Sequence, residues 1–249
     1  MSLANDKRRI SVTIRPRTIL ITIGVIAAVL VGANVVVGVI RQVTDQPFTG
    51  LDVFDLNAEQ SIPSWFSSAL LLVAAALTAG VAAKSRTMTW RWAGLAVMLL
   101  LASIDETIAV HERLSEPVGN LLNISDSFPF AWVLPFIVVG AALFPTYLGL
   151  LRSLDRQYQV LFVLSAAVYL GGAVGLEIIG GFLLQSLGPG VATELEVIIE
   201  ESAEMLGMGL LVSSLYQLLS DRSHNPRSDE LTQEFKTGTQ PVGTAVPFS

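Results

Sequence analysis

The chain has 249 residues, of which 52% are hydrophobic, and its mean hydropathy is +0.61. Only 14% of the residues are charged, whereas a soluble globular domain carries about 25%, and this deficit excludes an ordinary soluble domain. The net charge of −6 comes from unevenly placed acids, and the absence of cysteine excludes disulfides, thiolate metal sites and cysteine nucleophiles. We therefore expect an all-α, polytopic membrane protein.

The N-terminal end combines a basic segment with a long apolar run. Residues 1–17 hold five basic side chains, and residues 18–40 form an unbroken apolar stretch. The apolar core of a signal peptide spans only about 7–15 residues, so this stretch is predicted to be a retained first transmembrane helix. The sequence predicts one transmembrane domain over residues 18–219. Residues 220–249 are too poor in apolar side chains to fold alone and are predicted to be a disordered cytoplasmic tail.

Five further apolar runs predict a total of six transmembrane helices. They cover residues 64–83, 92–112, 130–151, 158–187 and 191–219. A polar loop is expected between the third and fourth helices. Lys and Arg are concentrated in the N-terminal segment, the second-to-third loop, the fourth-to-fifth loop and the tail. By the positive-inside rule, both termini lie in the cytoplasm and the protein resides in the cytoplasmic (inner) membrane.

Acidic residues occur inside three of these predicted helices. With a rise of about 1.5 Å per residue, all of them lie in the outer half of the membrane. Glu200, Glu201 and Glu204 of the sixth helix lie roughly 13–20 Å below the surface, and Glu194 and Glu196 lie near it. Ionisable groups in the membrane are costly and mark functional sites by default. The predicted site residues are Asp105, Glu106, Glu177, Glu200, Glu201 and Glu204, with His111 assisting.

Four further residues are candidates for the surroundings of this site. At about 100° per residue, Asp105 and Glu112 share a face of the predicted third helix. Arg113 follows directly, and Met205 flanks the direction of Glu201 on the sixth helix. Glu194 falls in the first turn of that helix, as does Glu196, and an acid there is favoured by the helix dipole alone.

The charge balance restricts what the acidic residues can do. Only Arg113 and a protonated His111 are expected near enough to neutralise them. Like charges in a medium of low dielectric constant cannot all stay ionised, so either several carboxyl groups hold protons or a cation is bound. Carboxylate oxygens with one imidazole suit a divalent metal ion, whose identity the sequence leaves open.

Three functions are compatible with such a site. The leading interpretation is ion-coupled transport driven by a divalent metal ion or proton. The alternatives are a metal-dependent membrane enzyme acting on a lipid or quinone, and a structural or assembly subunit with a buried polar network. The expected partners are the lipid bilayer, a small cation and, for an oligomer, further copies or a larger membrane complex. No phosphate loop or basic patch points to nucleotides or nucleic acid.

Three sequence motifs carry a family resemblance. The stretches LNAEQSIPSWFSS, SIDETIAVHE and IIEESAEMLG resemble a family of uncharacterised bacterial six-pass membrane proteins with acidic motifs in the third and sixth helices. The resemblance covers about residues 52–219. It implies six transmembrane helices and brings no established activity with it.

Overall fold

The structure is a computed structural model that describes residues 14–44, 50–124 and 131–224, and these residues form an all-helical protein without strands. The predicted basic segment and tail therefore lie largely outside the described residues. The helices are α1 (Pro16–Thr44), α2 (Ile62–Lys84), α3 (Thr89–Ile108), α4 (Val110–Leu122), α5 (Val133–Arg152), α6 (Arg156–Leu170), α7 (Glu177–Leu187) and α8 (Val191–His224). A short 3-10 helix covers Asp52–Phe54, and a π-helical turn, Gly171–Leu176, joins α6 to α7.

Four helices of the described chain are long and apolar enough to cross a membrane. They are α1, α2, α5 and the α6–α7 rod, which runs through the π-helical turn from Arg156 to Leu187. A fifth crossing results if α3 and the end of α4 form one broken span. The many exposed apolar side chains of α1 and α5 fit this composition, because a bilayer solvates such surfaces.

Helix α8 is the central helix of the bundle, and α1, α2 and α6 pack around it. Its buried Leu215 joins a core with Leu71 and Val81 of α2 and with Trp92 of α3, all at most 2% exposed. With 34 residues, α8 is also the longest helix. In the N-terminal half of α8, Glu196 and Glu204 are 8% exposed, whereas Glu194 in its first turn is exposed.

Glycines let α8 approach the α6–α7 rod closely. A Cβ placed on Gly207 of α8 would come within 2.6 Å of the backbone nitrogen of Tyr169. A Cβ on Gly172 of the π-helical turn would lie 3.0 Å from the carbonyl oxygen of Glu200. Small residues at such crossings allow backbone contact in a membrane, and here they bring the acid-bearing part of α8 against the rod.

Hydroxyl groups join α2 to α3 near the acids. Ser68 Oγ donates to the carbonyl oxygen of Ser103 at 2.7 Å, and Ser103 Oγ donates to that of Ser68 at 2.9 Å. Thr107 Oγ1 donates to Ser68 Oγ at 3.0 Å. Ser64 Oγ donates to the carbonyl oxygen of Glu106 at 3.0 Å. These bonds fix the register of the two helices at the level of Asp105 and Glu106.

The prediction of one straight third helix over residues 92–112 was wrong. Helix α3 ends at Ile108, and Ala109 adopts the left-handed conformation with φ 48°. The axes of Thr89–Ile108 and Arg113–Leu122 make an angle of 99°. Asp105 and Glu112 thus belong to different helices and share no helix face. Much of the predicted polar loop is helix α4.

The C-terminal boundary of α8 also differs from the prediction. The helix continues to His224, five residues into the segment predicted to be a disordered tail. Side-chain contacts account for this extension. The Tyr158 hydroxyl donates to the Asp221 carboxylate, and Arg222 donates to Ser85 Oγ at 2.6 Å while its guanidinium lies over the Trp92 ring. Residues 225–249 of the predicted tail lie outside the described chain.

A candidate carboxylate site

Asp105 and His111 face each other across the bend between α3 and α4. Asp105 Oδ1 accepts the backbone N–H of His111 at 3.0 Å, and His111 Nδ1 lies 2.7 Å from Asp105 Oδ2. The carboxylate also accepts the backbone N–H of Val110. It thereby satisfies free amides at the start of α4, as an N-cap does, and orients the imidazole in the same arrangement. The bend and the pair depend on each other.

The carboxyl group of Glu106 on α3 lies near ionisable groups from other parts of the chain. Its carboxyl group is within electrostatic range of His111 on α4 and of Glu59, which precedes α2. The carboxyl group of Glu201 on α8 lies within range of both Glu106 and Glu59. The Oε2 atom of Glu201 is buried and has no hydrogen-bond partner among the described residues. An acid from a loop thus joins acids from two helices.

Glu204 connects this group to the α6–α7 rod. The residue is 8% exposed, and the charges that act on it are those of Glu201, Glu106, Glu200 and Glu177. Glu177 is the first residue of α7, directly after the π-helical turn. Its carboxyl group is also within electrostatic range of the His111 imidazole. π-helical turns within helices occur frequently at functional sites. All seven predicted site residues therefore lie in one electrostatically connected group.

A second carboxyl pair lies where α7 contacts α8. Glu196 and Glu200 are one turn apart on α8, so their side chains lie on neighbouring positions of the helix surface. Glu196 is 8% exposed, and a Cβ on Gly180 of α7 would overlap its carboxyl group. The Oε1 atom of Glu196 is buried and has no hydrogen-bond partner among the described residues. A proton on this carboxyl group lowers the free-energy cost of enclosing it.

Three residues of this group are not among the predicted site residues, namely Glu59, Glu196 and Tyr169. For Glu59, the sequence favours a plain helix-entry loop over a polar lid on the site. Glu196 was interpreted as a helix-dipole acid, although its i, i+4 spacing to Glu200 was a signal for a pair. Tyr169 lies within range of Glu204, Glu106, Asp105 and Glu201, and nothing in its sequence context indicated this. Glu59 lies in a polar loop whose course only the tertiary structure reveals.

Only some of the residues predicted to surround the site lie near it. Met205 is fully buried on α8 beside the acids, whereas the side chains of Glu194 and Arg113 are exposed. The side chain of Glu112 lies outside what the structure describes. Arg41, in the last turn of α1, pairs with Asp52 and Asp55. Among the described residues, the charges that act most strongly on Glu106 and Glu201 belong to carboxyl groups and His111.

A divalent metal ion needs several ligand groups close to one point. Within residues 14–44, 50–124 and 131–224, no three carboxylate or imidazole groups converge closely enough to hold a metal ion. The acids form a chain of neighbouring groups from Glu59 to Glu196. Each of these carboxyl groups can be neutralised by a proton of its own, which does not require several ligands at one point.

Comparison with known proteins gives one match. Residues 21–218 match a family model described as "Domain of unknown function (DUF8692)". No curated protein and no solved structure matches the chain.

Proposed function

Because the chain belongs to the DUF8692 family, whose description states no activity, we propose its function from the site itself: proton binding that drives ion-coupled transport through a membrane. The acids of α3, α7 and α8 form the binding site, together with Glu59 and His111. The single observation that supports this proposal is that two enclosed acids of α8 lie within electrostatic range of Glu106 on α3: Glu204 is 8% exposed, and Glu201 Oε2 is buried without a hydrogen-bond partner among the described residues.

The proposed topology has six membrane crossings, with α3 and α4 as one broken span and α8 as the last. The basic residues of the α2–α3 and α5–α6 connections lie at the end of the bundle opposite the acids: Lys84, Arg86, Arg91, Arg152 and Arg156. Lys84 contacts Ser223, so the C-terminal end of α8 belongs to the same end. The positive-inside rule then places both termini in the cytoplasm of a bacterial inner membrane and the acids in the outer half of the bilayer.

The cost of buried charge favours protons as the ligand. An ionised carboxylate at the centre of a membrane costs about 2.5–3.5 kcal/mol on insertion scales, and neighbouring carboxylates add repulsion. No lysine or arginine is among the described residues that act most strongly on Glu106, Glu201 and Glu204. Protons neutralise such a group without requiring three ligands at one point. Their release and uptake at the two membrane surfaces can drive a second ion.

A flux experiment tests this function. Purified protein is reconstituted into liposomes containing a pH-sensitive dye, and a potassium diffusion potential drives proton entry. We expect wild-type protein to conduct protons above the rate of empty liposomes, and the Glu201→Gln/Glu204→Gln variant to fall to that rate. Glu116→Gln, an exposed glutamate of α4, is the matched control and should behave as wild type.

Either of two results would contradict this proposal. Undiminished proton flux in the Glu201→Gln/Glu204→Gln variant would show that the acids are a structural network. One tightly bound divalent metal ion per chain, lost on chelation and absent from the variant, would make a metal the ligand. Metal analysis of the purified protein with and without chelator decides the second point.

One observation supports a membrane enzyme as the second candidate. Asp105 holds His111 through Nδ1, which leaves Nε2 available as an acid or base. An imidazole oriented in this way is a common general base. A lipid or quinone could reach it from the bilayer. The enzyme proposal predicts turnover of such a compound that is lost in His111→Gln while proton flux through the reconstituted protein is absent.

A further inference from the structure

We propose that the segment 50–61, here called the strap, is a gate over the outer end of the carboxylate site, and that Glu59 is the strap residue through which the site acts on it. The inference rests on the proposed function for its purpose, whereas its structural basis is independent of which cation binds. The strap connects to α2 and contains the 3-10 helix Asp52–Phe54.

The first attachment of the strap is ionic. Arg41, in the last turn of α1, donates through Nη2 to Asp52 at 2.5 Å and through Nη1 to Asp55 at 2.9 Å. The Arg41 side chain is 35% exposed, and that of Asp52 is 55% exposed. Exposed ion pairs contribute little individually. This attachment therefore holds the strap in register and can be released.

The second attachment is apolar and lies deeper. Leu56 is 2% exposed and packs with Ala27 and Leu30 of α1 and with Met205 of α8. Its backbone N–H donates to Asn34 Oδ1 of α1 at 3.1 Å. Leu56 thus packs between α1 and α8 against Met205, which follows Glu204 in the chain and lies one turn after Glu201 on α8. Met205 is 0% exposed with Leu56 packed against it.

Glu59 connects the strap to the acids beneath it. The carboxyl groups of Glu106 on α3 and Glu201 on α8 and the imidazole of His111 on α4 are within its electrostatic range. The strap ends at the start of α2, where Ser61 Oγ accepts the backbone N–H of Ser64 and caps the helix. Negative charge on Glu106 and Glu201 repels Glu59 and favours release of the strap, whereas neutralising them favours closure. The site therefore opens to the outside when it is empty and closes when it is loaded.

The cysteine-free chain permits a direct test by thiol accessibility. Met205→Cys places one thiol beneath Leu56, and a small cationic, membrane-impermeant thiol reagent reports how often it becomes exposed in purified protein. Labelling is expressed relative to Glu116→Cys, a thiol at an exposed position of α4. Val197→Cys, which also packs against the Leu56 cluster, is the second reporter if Met205→Cys does not fold.

Three substitutions that affect the strap are made in the Met205→Cys protein. We expect Leu56→Ala to raise the labelling rate at least about tenfold, since the seated side chain is lost. Arg41→Gln should raise it several-fold, while Arg113→Gln, an exposed arginine of α4, should leave it unchanged. At a pH alkaline enough to ionise Glu106 and Glu201, Glu59→Gln should lower it several-fold, because the repulsion from these two carboxylates is removed.

Equal labelling rates in wild type, Leu56→Ala and Arg41→Gln would overturn the gate, and faster labelling in Glu59→Gln would overturn the role of Glu59. These measurements need no transport assay. A failure of the flux experiment would remove the proposed function but leave the accessibility result standing, and the reverse also holds.

Discussion

His111 Nδ1 lies 2.7 Å from Asp105 Oδ2, and the two residues belong to helices that are separated by a bend of about a right angle. The same carboxylate accepts the backbone N–H of His111. One side chain therefore stabilises the turn, starts the next helix and orients the imidazole. The position of His111 among the carboxyl groups of α7 and the strap follows from this single acid.

Asp105→Asn should destabilise the fold near the bend. The carboxamide cannot reproduce the charge-assisted bond to the imidazole together with both backbone bonds, and hydrogen bonds to charged groups contribute about 1.5–3 kcal/mol each. We expect a loss of that size, measured as a lower apparent Tm in detergent, and a change in the His111 tautomer measured by nitrogen NMR. Glu116→Gln is the control. An Asp105→Asn protein with unchanged Tm and tautomer would disprove the role of this pair.

Gly207→Ala should separate α8 from α6. The added methyl group would meet the Tyr169 backbone at 2.6–2.8 Å, and a backbone cannot move aside as a side-chain tip can. Overpacking of this kind typically costs about 1–3 kcal/mol. Gly140→Ala on α5, where a Cβ meets nothing within 4 Å, is the matched control. Thermal unfolding in detergent should show a clear loss for the first variant and almost none for the second.

Ser68→Ala and Ser103→Ala should show energetic coupling. The two hydroxyl groups bond to each other's helices in both directions, so removing either one disturbs the other. Interhelical bonds of this kind average about 0.6 kcal/mol in membranes, with a maximum near 1.7. A double-mutant cycle on unfolding free energies should give a coupling in that range. Additive losses would mean that the bonds do not hold α2 to α3.

The helices and the acid group were predictable from the sequence for the same reason. Runs of about 20 apolar residues place α1, α2 and α5 within a few residues, and acids interrupting such runs indicate where polar groups must meet. The structure places the seven predicted residues within electrostatic range of one another, around Glu106 and Glu204. Its function in binding a cation stays a prediction.

The bend after α3 was not predictable from local sequence. Ala109 occupies the left-handed region without a glycine or proline to indicate a break, and the compensating bonds come from Asp105 and Ser64 in tertiary contact. Burial of Glu196 was also missed, because an acid in the first turns of a helix normally stays in water. Only the close approach of Gly180 shows that this acid is enclosed. Both errors arise where tertiary packing overrides a local preference.

The most direct test of the central claim is the protonation of Glu201 and Glu204 at neutral pH. Difference infrared spectroscopy of the purified protein detects the carbonyl stretch of protonated carboxyl groups, and exchange into heavy water shifts it. We predict this band in wild type and in Glu116→Gln, and a clear reduction of its intensity in Glu201→Gln/Glu204→Gln. A band of equal size in all three proteins, or no band in wild type, would contradict a shared proton-binding site of α3 and α8.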